Sequence, residues 1–352
     1  MRTNIIGIMS GTSLDGVDVA YCSFEKVQNK WHYDIVCAET FPYSGEWTYR
    51  LQNLEHTDAL TFNLTDSEYG HLLGQLVASF IKKSGLKPDY IASHGHTIFH
   101  QPEKGFTKQI GSGAAIAAEC GITTICDFRS LDVALGGQGA PLVPIGDELL
   151  FGNYDACLNI GGFANISYKI NNVRIAFDIS PANIILNYFA KKRNFDYDKN
   201  GFLAKQGCFH EKLFTNLNSL DYYSQPFPKS LGKEWLIETM LPCFAHFQLS
   251  PEDNLRTLIE HIAFQISEVI KHTNIKEIFI SGGGAKNKFL IEKIQKYMYE
   301  IKLFMPNDLI IDYKEALIFA FLGLMRINEE NNCLRSVTGA KKNNCGGCIY
   351  YI

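Results

Sequence analysis

The stretch IIGIMSGTSLDGVDVAY, residues 5–21, decides how we expect this sequence to fold. Its first apolar run, residues 5–9, is typical of a buried strand. Further on, Val17, Val19 and Tyr21 alternate with small or polar residues, as the positions of a second strand do. Two strands this close in sequence predict a β-hairpin at the start of the chain.

The tip of this hairpin is rich in small and hydroxylated residues. Asp15 and Gly16 form a turn signal, while Gly11, Thr12 and Ser13 offer backbone N–H groups and hydroxyls without bulky side chains. Such a tip can cradle a phosphate. It is not a Walker loop, because no Gly-Lys-Ser/Thr follows and the chain continues as a strand. An ordinary tight hairpin explains the same residues equally well, so both interpretations stay open at this point.

The composition is that of an ordinary globular protein. The 352 residues are 46% apolar and 20% charged, and a domain size of roughly 100–200 residues predicts two domains. A net charge of −4 and a pI near 6.2 give no electrostatic basis for binding nucleic acid or an anionic membrane. We see no secretory leader and no apolar run approaching the ~18 residues of a membrane span. The expected location is therefore the cytoplasm.

We expect no metal site built from protein ligands alone. Most of the ten cysteines are scattered singly in apolar contexts and are interpreted as reduced core residues. Cys345 and Cys348 have metal or redox spacing, but a second pair is missing. His94, His96 and His100 can share one face of a strand, yet no carboxylate or cysteine clusters with them. Substrate hydrogen bonding or core packing explains these histidines better.

The two halves of the chain repeat one order of elements: a hairpin, an amphipathic helix and a buried strand. These are residues 5–21, 66–85 and 90–92 in the first half, and residues 157–170, 255–270 and 278–280 in the second. Helices that alternate with strands predict an α/β fold with mixed, largely parallel sheets covered by helices. Two such halves facing each other would form a cleft between two phosphate-sized hairpin tips.

The expected domain boundary follows a glycine-rich crossing, residues 136–139. We therefore expect a first domain at 1–140 and a second at 141–335. The tail, 336–352, is expected to pack back onto the first domain.

Asp178 is the carboxylate with the clearest candidate role. It ends a short predicted strand, residues 173–177, and strand ends are where α/β proteins collect ligand groups. With an ordinary pKa of about 3.9 it is ionised at neutral pH and can accept a proton, an effect typically worth ~10²–10⁴-fold in rate. Alternatively, Asp178 caps the following helix, and Pro181 just inside the helix start favours that hypothesis. The residues alone leave both open.

Three other charged residues have candidate roles. Asp15 and Asp18 lie near the hairpin tip and could hold Mg²⁺ directly or through water. Arg129 follows a short apolar strand, and its planar guanidinium can pair with a carboxylate or phosphate. The alternative for Arg129 is an ion pair with Asp127 or Asp132 that bridges the domains.

A series of segments then identifies a family. In order along the chain these are GIMSGTSLDGVDVA, SHGHTIFHQP, DFRSLDVALGGQGAPLVP, LNIGGFANIS, FDISPAN, SGGGAKN, KEALIFAFLG, and SVTGA followed by GGCIY. Together they resemble the anhydro-N-acetylmuramic acid kinases of bacteria, from Gly7 to Tyr350. The resemblance implies the fold of sugar kinases, actin and heat-shock ATPases. In that fold, two duplicated ribonuclease-H-like domains carry mixed sheets flanked by helices, with an interdomain cleft.

The resemblance also implies a reaction. ATP is used, with Mg²⁺, to open 1,6-anhydro-N-acetylmuramic acid and phosphorylate its 6-hydroxyl, giving N-acetylmuramic acid 6-phosphate and ADP in peptidoglycan recycling. Water attacks the anomeric carbon, and the freed 6-oxygen takes the γ-phosphoryl group. A homodimer is implied as well. The alternatives are a related anhydrosugar or hexosamine kinase, and a non-catalytic nucleotide-binding regulator of the same fold.

Finally, the resemblance implies roles for particular residues. Asp178 corresponds to the catalytic aspartate, which favours the base over the cap. The first phosphate loop comprises Gly11, Thr12, Ser13, Leu14, Asp15, Gly16, Val17 and Asp18; the second comprises Asn159, Gly161 and Gly162; the adenosine contact comprises Gly282, Gly283 and Gly284. On the sugar side are Glu315, His96, Arg129 and Asn183, with a plain helix-surface carboxylate as the alternative for Glu315.

One motif departs from the family. Where the family usually has Asp-Thr-Gly-Pro-Gly-Asn, this chain has Asp-Ile-Ser-Pro-Ala-Asn, so Ser180 and Ala182 replace two glycines. Both replacements restrict the backbone, and we expect them to crowd its approach to the sugar. The fine structure of the substrate therefore stays open.

Overall fold

The computed structural model describes residues 2–11 and 14–352. The chain divides into two compact units: unit 1 is Met1–Leu150 with Tyr313–Ile352, and unit 2 is Phe151–Asp312. Compared with the boundaries expected from the sequence, residues 141–150 and 313–335 group with unit 1. Among the helices that the described residues form, none is long and apolar enough to cross a membrane.

The secondary structure alternates short strands with helices. The strands are β1 (Arg2–Ser10), β2 (Val17–Val27), β3 (Lys30–Phe41), β4 (Tyr90–Ser93), β5 (His96–Gln101), β6 (Phe106–Ile110), β7 (Thr124–Cys126), β8 (Ala156–Ile160), β9 (Phe163–Ile170), β10 (Val173–Pro181), β11 (Glu277–Ser281), β12 (Lys302–Phe304) and β13 (Cys348–Tyr350). The helices are α1 (Gly45–Asn53), α2 (Ala59–Ser84), α3 (Gly113–Cys120), α4 (Ser130–Ala134), α5 (Val143–Leu149), α6 (Asn183–Lys191), α7 (Phe202–Gln206), α8 (Glu211–Asn218), α9 (Asp221–Ser224), α10 (Lys233–Trp235), α11 (Leu241–Ala245), α12 (Pro251–Ile270), α13 (Lys288–Tyr297), α14 (Asp308–Ile327) and α15 (Arg335–Thr338).

The two units repeat one sheet topology. In unit 1 the strand order is β13-β7-β4-β1-β2-β3, and in unit 2 it is β10-β9-β8-β11-β12. In each, three consecutive strands form an antiparallel meander, and two further strands add in parallel beside the first strand. Unit 1 adds β13, which pairs antiparallel with β7. The expected α/β fold, with mixed sheets and duplicated halves, is confirmed.

Helix α14 packs directly on the sheet of unit 1 because small residues face it. A Cβ on Gly7, in the middle of β1, would overlap the carbonyl oxygen of Ala316, and it would lie 3.1 Å from the Cβ of Ala320. The ring of Phe321 from the same helix lies 5.5 Å from that of Phe24 on β2. The helix backbone and the strand backbone therefore touch without an intervening side chain.

The C-terminal tail is tied to unit 1 by one buried carboxylate, that of Asp132. Its Oδ1 accepts hydrogen bonds from Thr338 Oγ1 at 2.9 Å, Asn344 Nδ2 at 2.8 Å and Cys333 Sγ at 3.0 Å. Its Oδ2 accepts one from the backbone N–H of Gly139 at 2.8 Å. Since Asp132 has no solvent exposure, these donors replace the water that a carboxylate otherwise needs.

We predict that Gly7→Ala lowers the free energy of unfolding by about 3 kcal/mol or more, because the added methyl group overlaps helix backbone that cannot move aside cheaply. Urea unfolding followed by far-UV circular dichroism measures the change. The matched control is Gly45→Ala at the start of α1, where no atom lies within 4 Å of the new Cβ. Equal stability of the two variants would contradict this packing.

We also predict that Asp132→Asn lowers the free energy of unfolding and speeds hydrogen exchange in the C-terminal tail. The amide replaces one carboxylate oxygen by a donor, so at least one buried donor loses its acceptor, at about 1–3 kcal/mol. Urea unfolding and hydrogen exchange at residues 333–344 report the effect. Asp34→Asn, on the exposed face of β3, should change neither measurement. Unchanged exchange in the tail of Asp132→Asn would show that this carboxylate does not hold it.

Candidate functional site

In unit 1, the predicted first phosphate loop joins β1 to β2. Thr12 and Ser13 lie outside the residues that the structure describes. Around them, the N–H of Leu14 donates to the carbonyl of Gly11 at 3.3 Å, and Leu14 adopts a left-handed φ of 60°. Val17 begins β2 and is fully buried. One backbone hydrogen bond thus links Gly11 to Leu14, and from Val17 the chain continues as a core strand.

The remaining loop residues contact strand β3. A Cβ on Gly16 would lie 2.6 Å from the carbonyl oxygen of Phe41, so this glycine permits a close approach of the two backbones. Asp18 on β2 accepts a hydrogen bond from Thr40 Oγ1 at 2.6 Å. Asp15 is exposed in the bend that precedes β2. Two carboxylates therefore flank the end of the loop.

His96 ends a chain of hydrogen bonds that starts in the core of unit 1. The hydroxyl of Ser10, at the end of β1, lies 2.8 Å from His96 Nδ1 and 2.5 Å from the Tyr43 hydroxyl, which in turn bonds the Tyr69 hydroxyl. Burial lowers the pKa of His96 to about 4. His96 is therefore neutral at physiological pH and can exchange hydrogen bonds without carrying charge.

Arg129 is held by a histidine and a carbonyl. Its Nε and Nη2 lie 3.1 and 2.9 Å from His94 Nε2, and its Nη1 donates to the carbonyl of Gly139 at 2.7 Å. Since His94 Nε2 accepts, its Nδ1 carries the proton and donates to the carbonyl of Gly95 at 2.9 Å. Burial and the charge of Arg129 together lower the pKa of His94 well below its ordinary value.

The alternative role for Arg129 is wrong. Within the described residues, Arg129 forms no ion pair with Asp127 or Asp132; the Asp132 carboxylate is occupied by the tail. Burial lowers the pKa of Arg129 to about 10, an effect that the charge of Glu315 opposes. Arg129 therefore remains a cation at neutral pH.

Glu315 lies on α14, and solvent reaches its side chain. The surrounding protein nevertheless raises its pKa by desolvation, while the charges of Arg129 and Lys314 lower it. Lys314 is itself buried and paired with Asp147 at 2.7 Å. Glu315 is thus an exposed carboxylate in the field of two cations, Arg129 and Lys314.

In unit 2, Asp178 sits at a bulge near the end of β10. The register against β9 shifts between Asp178 and Ser180. Its Oδ2 accepts the N–H of Leu231 at 2.9 Å, its carbonyl accepts the Tyr222 hydroxyl at 2.7 Å, and its N–H donates to the carbonyl of Lys229 at 3.3 Å. Burial raises the pKa of Asp178, and the N–H of Leu231 opposes that shift.

The helix-cap alternative for Asp178 is wrong. Helix α6 begins at Asn183, and its N-cap residue is Ala182, which makes no side-chain cap. Pro181 is the last residue of β10 rather than the first turn of a helix. Proline is tolerated there because β10 is an edge strand.

The second hairpin tip, between β8 and β9, is tied to the start of α6. The N–H of Ala182 donates to the carbonyl of Gly162 at 2.8 Å, and that of Asn183 to the carbonyl of Gly161 at 3.1 Å. Asn183 Nδ2 also donates to the carbonyl of Ile160 at 3.2 Å. A Cβ on Gly162 would meet no atom closer than 3.9 Å. The tip is firmly held but has open space on one side.

The glycine triplet after β11 packs on the same tip. A Cβ on Gly282 would lie 2.6 Å from Asn159 Oδ1, and one on Gly284 would overlap the side chain of Ile160. At Gly283 the nearest atom would be Asn183 Nδ2, at 3.7 Å. Unit 2 therefore brings together Asn159, Gly161, Gly162, Gly282, Gly283, Gly284 and Asn183.

The two residues that replace family glycines lie in the core. Ser180 and Ala182 are fully buried, and Ser180 Oγ donates to the carbonyl of Pro181 at 3.0 Å. Their side chains therefore do not occupy the surface that a ligand can reach.

Sequence reasoning missed the groups that hold Asp178. Tyr222 and Leu231 lie 44 and 53 residues from it along the chain. No periodicity or motif marks their segment, so no local signal could have found them. Ser10 and Tyr43, which bond each other next to His96, were missed for the same reason.

Comparison with known proteins then adds the family. The sequence model of the family described as anhydro-N-acetylmuramic acid kinase matches residues 3–352. A protein of that name from Vibrio cholerae serotype O1 is 37% identical over 375 residues, with 99% of each chain covered. Another, from Sulfurovum sp., is 35% identical over 363 residues, again with 99% of each chain covered.

Likeness to solved structures is weaker. The activator of the 2-hydroxyisocaproyl-CoA dehydratase from Clostridium difficile, with bound ADPNP, covers 91% of this chain and 92% of that chain at 13% identity and a TM-score of 0.44. The family match confirms the resemblance carried by the motifs: this chain belongs to the anhydro-N-acetylmuramic acid kinase family.

Proposed function

We propose that this protein is an ATP-dependent kinase that opens 1,6-anhydro-N-acetylmuramic acid with water and phosphorylates the freed 6-oxygen. The products are N-acetylmuramic acid 6-phosphate and ADP, in peptidoglycan recycling. The observation that carries the proposal is the site of Asp178, within a chain that belongs to the family. This carboxylate is partly buried at a bulge, fixed by one backbone N–H, and has a raised pKa.

Asp178 acts as the general base. As water attacks the anomeric carbon, one water proton passes to the carboxylate, the new C–O bond forms, and the bond to the bridging 6-oxygen breaks. That oxygen then takes the γ-phosphoryl group from ATP, and ADP leaves. A raised pKa moves the base closer to the working pH, where general-base catalysis is more effective.

The polar groups of unit 1 suit a sugar. Neutral His96 can exchange hydrogen bonds with hydroxyls, and Glu315 adds a carboxylate. Three of the five N–H groups of Arg129 are already hydrogen-bonded, two to His94 and one to the carbonyl of Gly139. Its two remaining N–H groups and its charge are available to a sugar oxygen. Asn183 directs its amide N–H to the hairpin tip, so we propose that it orients that tip.

The glycine-lined tips suit phosphates, and Mg²⁺ fits beside them. Phosphoryl transfer depends on positioning and charge stabilisation, which backbone N–H groups at Gly162 and Gly283 can supply without reactive side chains. Mg²⁺ is commonly held by one or two carboxylates plus substrate phosphates, and Asp15 and Asp18 lie at the first loop. When bound, the ion neutralises phosphate charge. The family also supports a cytoplasmic homodimer as part of this proposal.

We predict that Asp178→Asn lowers kcat for sugar phosphorylation by ~10²–10⁴-fold, because the amide cannot take a proton. KM for ATP should stay within about twofold, since ATP does not need this base. A coupled ADP-release assay with anhydro-N-acetylmuramic acid measures both values. Asp196→Asn, an exposed carboxylate of the same unit, is the control. Wild-type turnover by Asp178→Asn, or wild-type activity on reducing sugars only, would contradict the proposal.

We also predict that alanine substitutions at the glycines of unit 2 affect either ATP binding or thermal stability, depending on the position. Gly162→Ala and Gly283→Ala should keep the wild-type melting temperature, because each new Cβ has room, yet weaken ATP binding about tenfold by filling the space beside the tip. Gly284→Ala should instead lower the melting temperature, because its Cβ overlaps Ile160. Thermal unfolding and isothermal titration with ATP measure the two effects. Unchanged ATP affinity in both tip variants would remove these glycines from the site.

A further inference from the structure

We propose that residues 222–231, here called the strap, position the carboxylate of Asp178, with the Tyr222 hydroxyl and the Leu231 N–H as the positioning groups. The inference rests on the proposed function, because it explains how the base of that reaction is aimed. It adds a part of the chain to which no motif points.

The strap contacts three different parts of Asp178. The Tyr222 hydroxyl donates to its carbonyl at 2.7 Å, the carbonyl of Lys229 accepts its N–H at 3.3 Å, and the N–H of Leu231 donates to Oδ2 at 2.9 Å. Two of these contacts fix the peptide on either side of the Cα, and the third fixes the carboxylate. Together they determine the direction of the side chain.

The sheet alone cannot fix this direction. Strand β10 is the edge strand of its sheet, and its register slips between Asp178 and Ser180. A bulge on an edge strand leaves ladder groups unpaired and lets the strand bend. The strap supplies the partners that a neighbouring strand would otherwise provide.

The strap is itself anchored. Lys229 Nζ donates to the carbonyl of Tyr222 at 3.0 Å and lies 4.6 Å from the centre of that ring. The Tyr222 ring packs 5.4 Å from Trp235, and Phe227 stacks on Phe177 at 5.6 Å, beside Asp178 in β10. Lys229, near the end of the strap, is therefore bound to Tyr222 at its start, and Phe227 between them packs on strand β10.

The strap also affects the charge of the base. The titratable groups that face Asp178 from the strap are the Tyr222 phenol and, beyond it, the Lys229 ammonium. From β9, the residue opposite Asp178 is the uncharged Asn165. Burial raises the pKa of Asp178, and the hydrogen bond from the N–H of Leu231 lowers it in part. If the carboxylate turns away from Leu231, its pKa should rise further.

The test is Tyr222→Phe, which removes one hydroxyl and keeps the ring. Loss of that hydrogen bond should lower kcat about tenfold. It should move the acid limb of the pH profile to higher pH and leave KM for ATP within about twofold. The matched control is Tyr21→Phe in unit 1, which likewise loses a hydroxyl that donates to a backbone carbonyl, that of Lys87, at 2.9 Å. That variant should melt at a lower temperature but keep wild-type kcat and pH dependence.

A second measurement does not depend on activity. With ¹³C-labelled aspartate carboxyls, the signal missing from Asp178→Asn identifies Asp178, and its titration should shift to higher pH in Tyr222→Phe. Lys229→Met removes the ammonium that holds Tyr222 but keeps the Lys229 carbonyl, so it should show a smaller shift in the same direction. This variant also serves if Tyr222→Phe does not fold.

The outcomes separate the two proposals. If the wild type phosphorylates the sugar but neither strap variant changes kcat or the titration of Asp178, the strap has no positioning role. If the wild type is inactive on the sugar while the titration still shifts, the strap inference stands and the proposed function fails.

Discussion

The contact between Gly7 and Ala316 sets the geometry on which unit 1 depends. Because Gly7 has no side chain, the backbone of α14 lies against the backbone of β1. The residues that matter for the site occupy neighbouring positions on that helix: Lys314 and Glu315 precede Ala316, and Phe319 follows it. The ring of His94 packs 4.6 Å from that of Phe319. A side chain at residue 7 would move α14 away from β1, and with it Glu315 and the Phe319 ring that packs on His94.

The two units share a strand order, and in both the last strand of the meander is bulged. In unit 1 the bulge of β3 lies at Val36, between the partners of Tyr21 and Cys22, and in unit 2 that of β10 lies between Asp178 and Ser180. A regular edge strand directs alternate side chains to opposite faces and leaves little freedom for any one of them. The bulge gives Asp178 a different direction, and the strap then restrains it. Duplication therefore accounts for the framework and for a bulged last strand in each unit, while a carboxylate at the bulge of β10 provides the candidate base.

The elements set by local patterns could be predicted from the sequence. The hairpin of residues 5–21 corresponds to β1 and β2, and the repeated order of hairpin, helix and strand corresponds to the shared topology. Predictions failed where partners are distant in sequence. The alternative for Arg129 was an ion pair with Asp127 or Asp132, but its side-chain partner His94 lies 35 residues away. Pro181 was interpreted as a helix start because proline at a first helical turn and proline at the end of an edge strand look alike in sequence.

The altered motif shows how structure changes an interpretation based on residue types. Ser180 and Ala182 stand where the family usually has glycine, and glycine is required only where φ is positive or where a Cβ has no room. Neither condition holds here: Ala182 has a φ of −128°, Ser180 is not among the positive-φ residues, and both side chains fit within the core. Ser180 even gains a hydrogen bond to the carbonyl of Pro181. The two side chains therefore pack in the core behind Asp178, and neither lies on the surface that a ligand can reach.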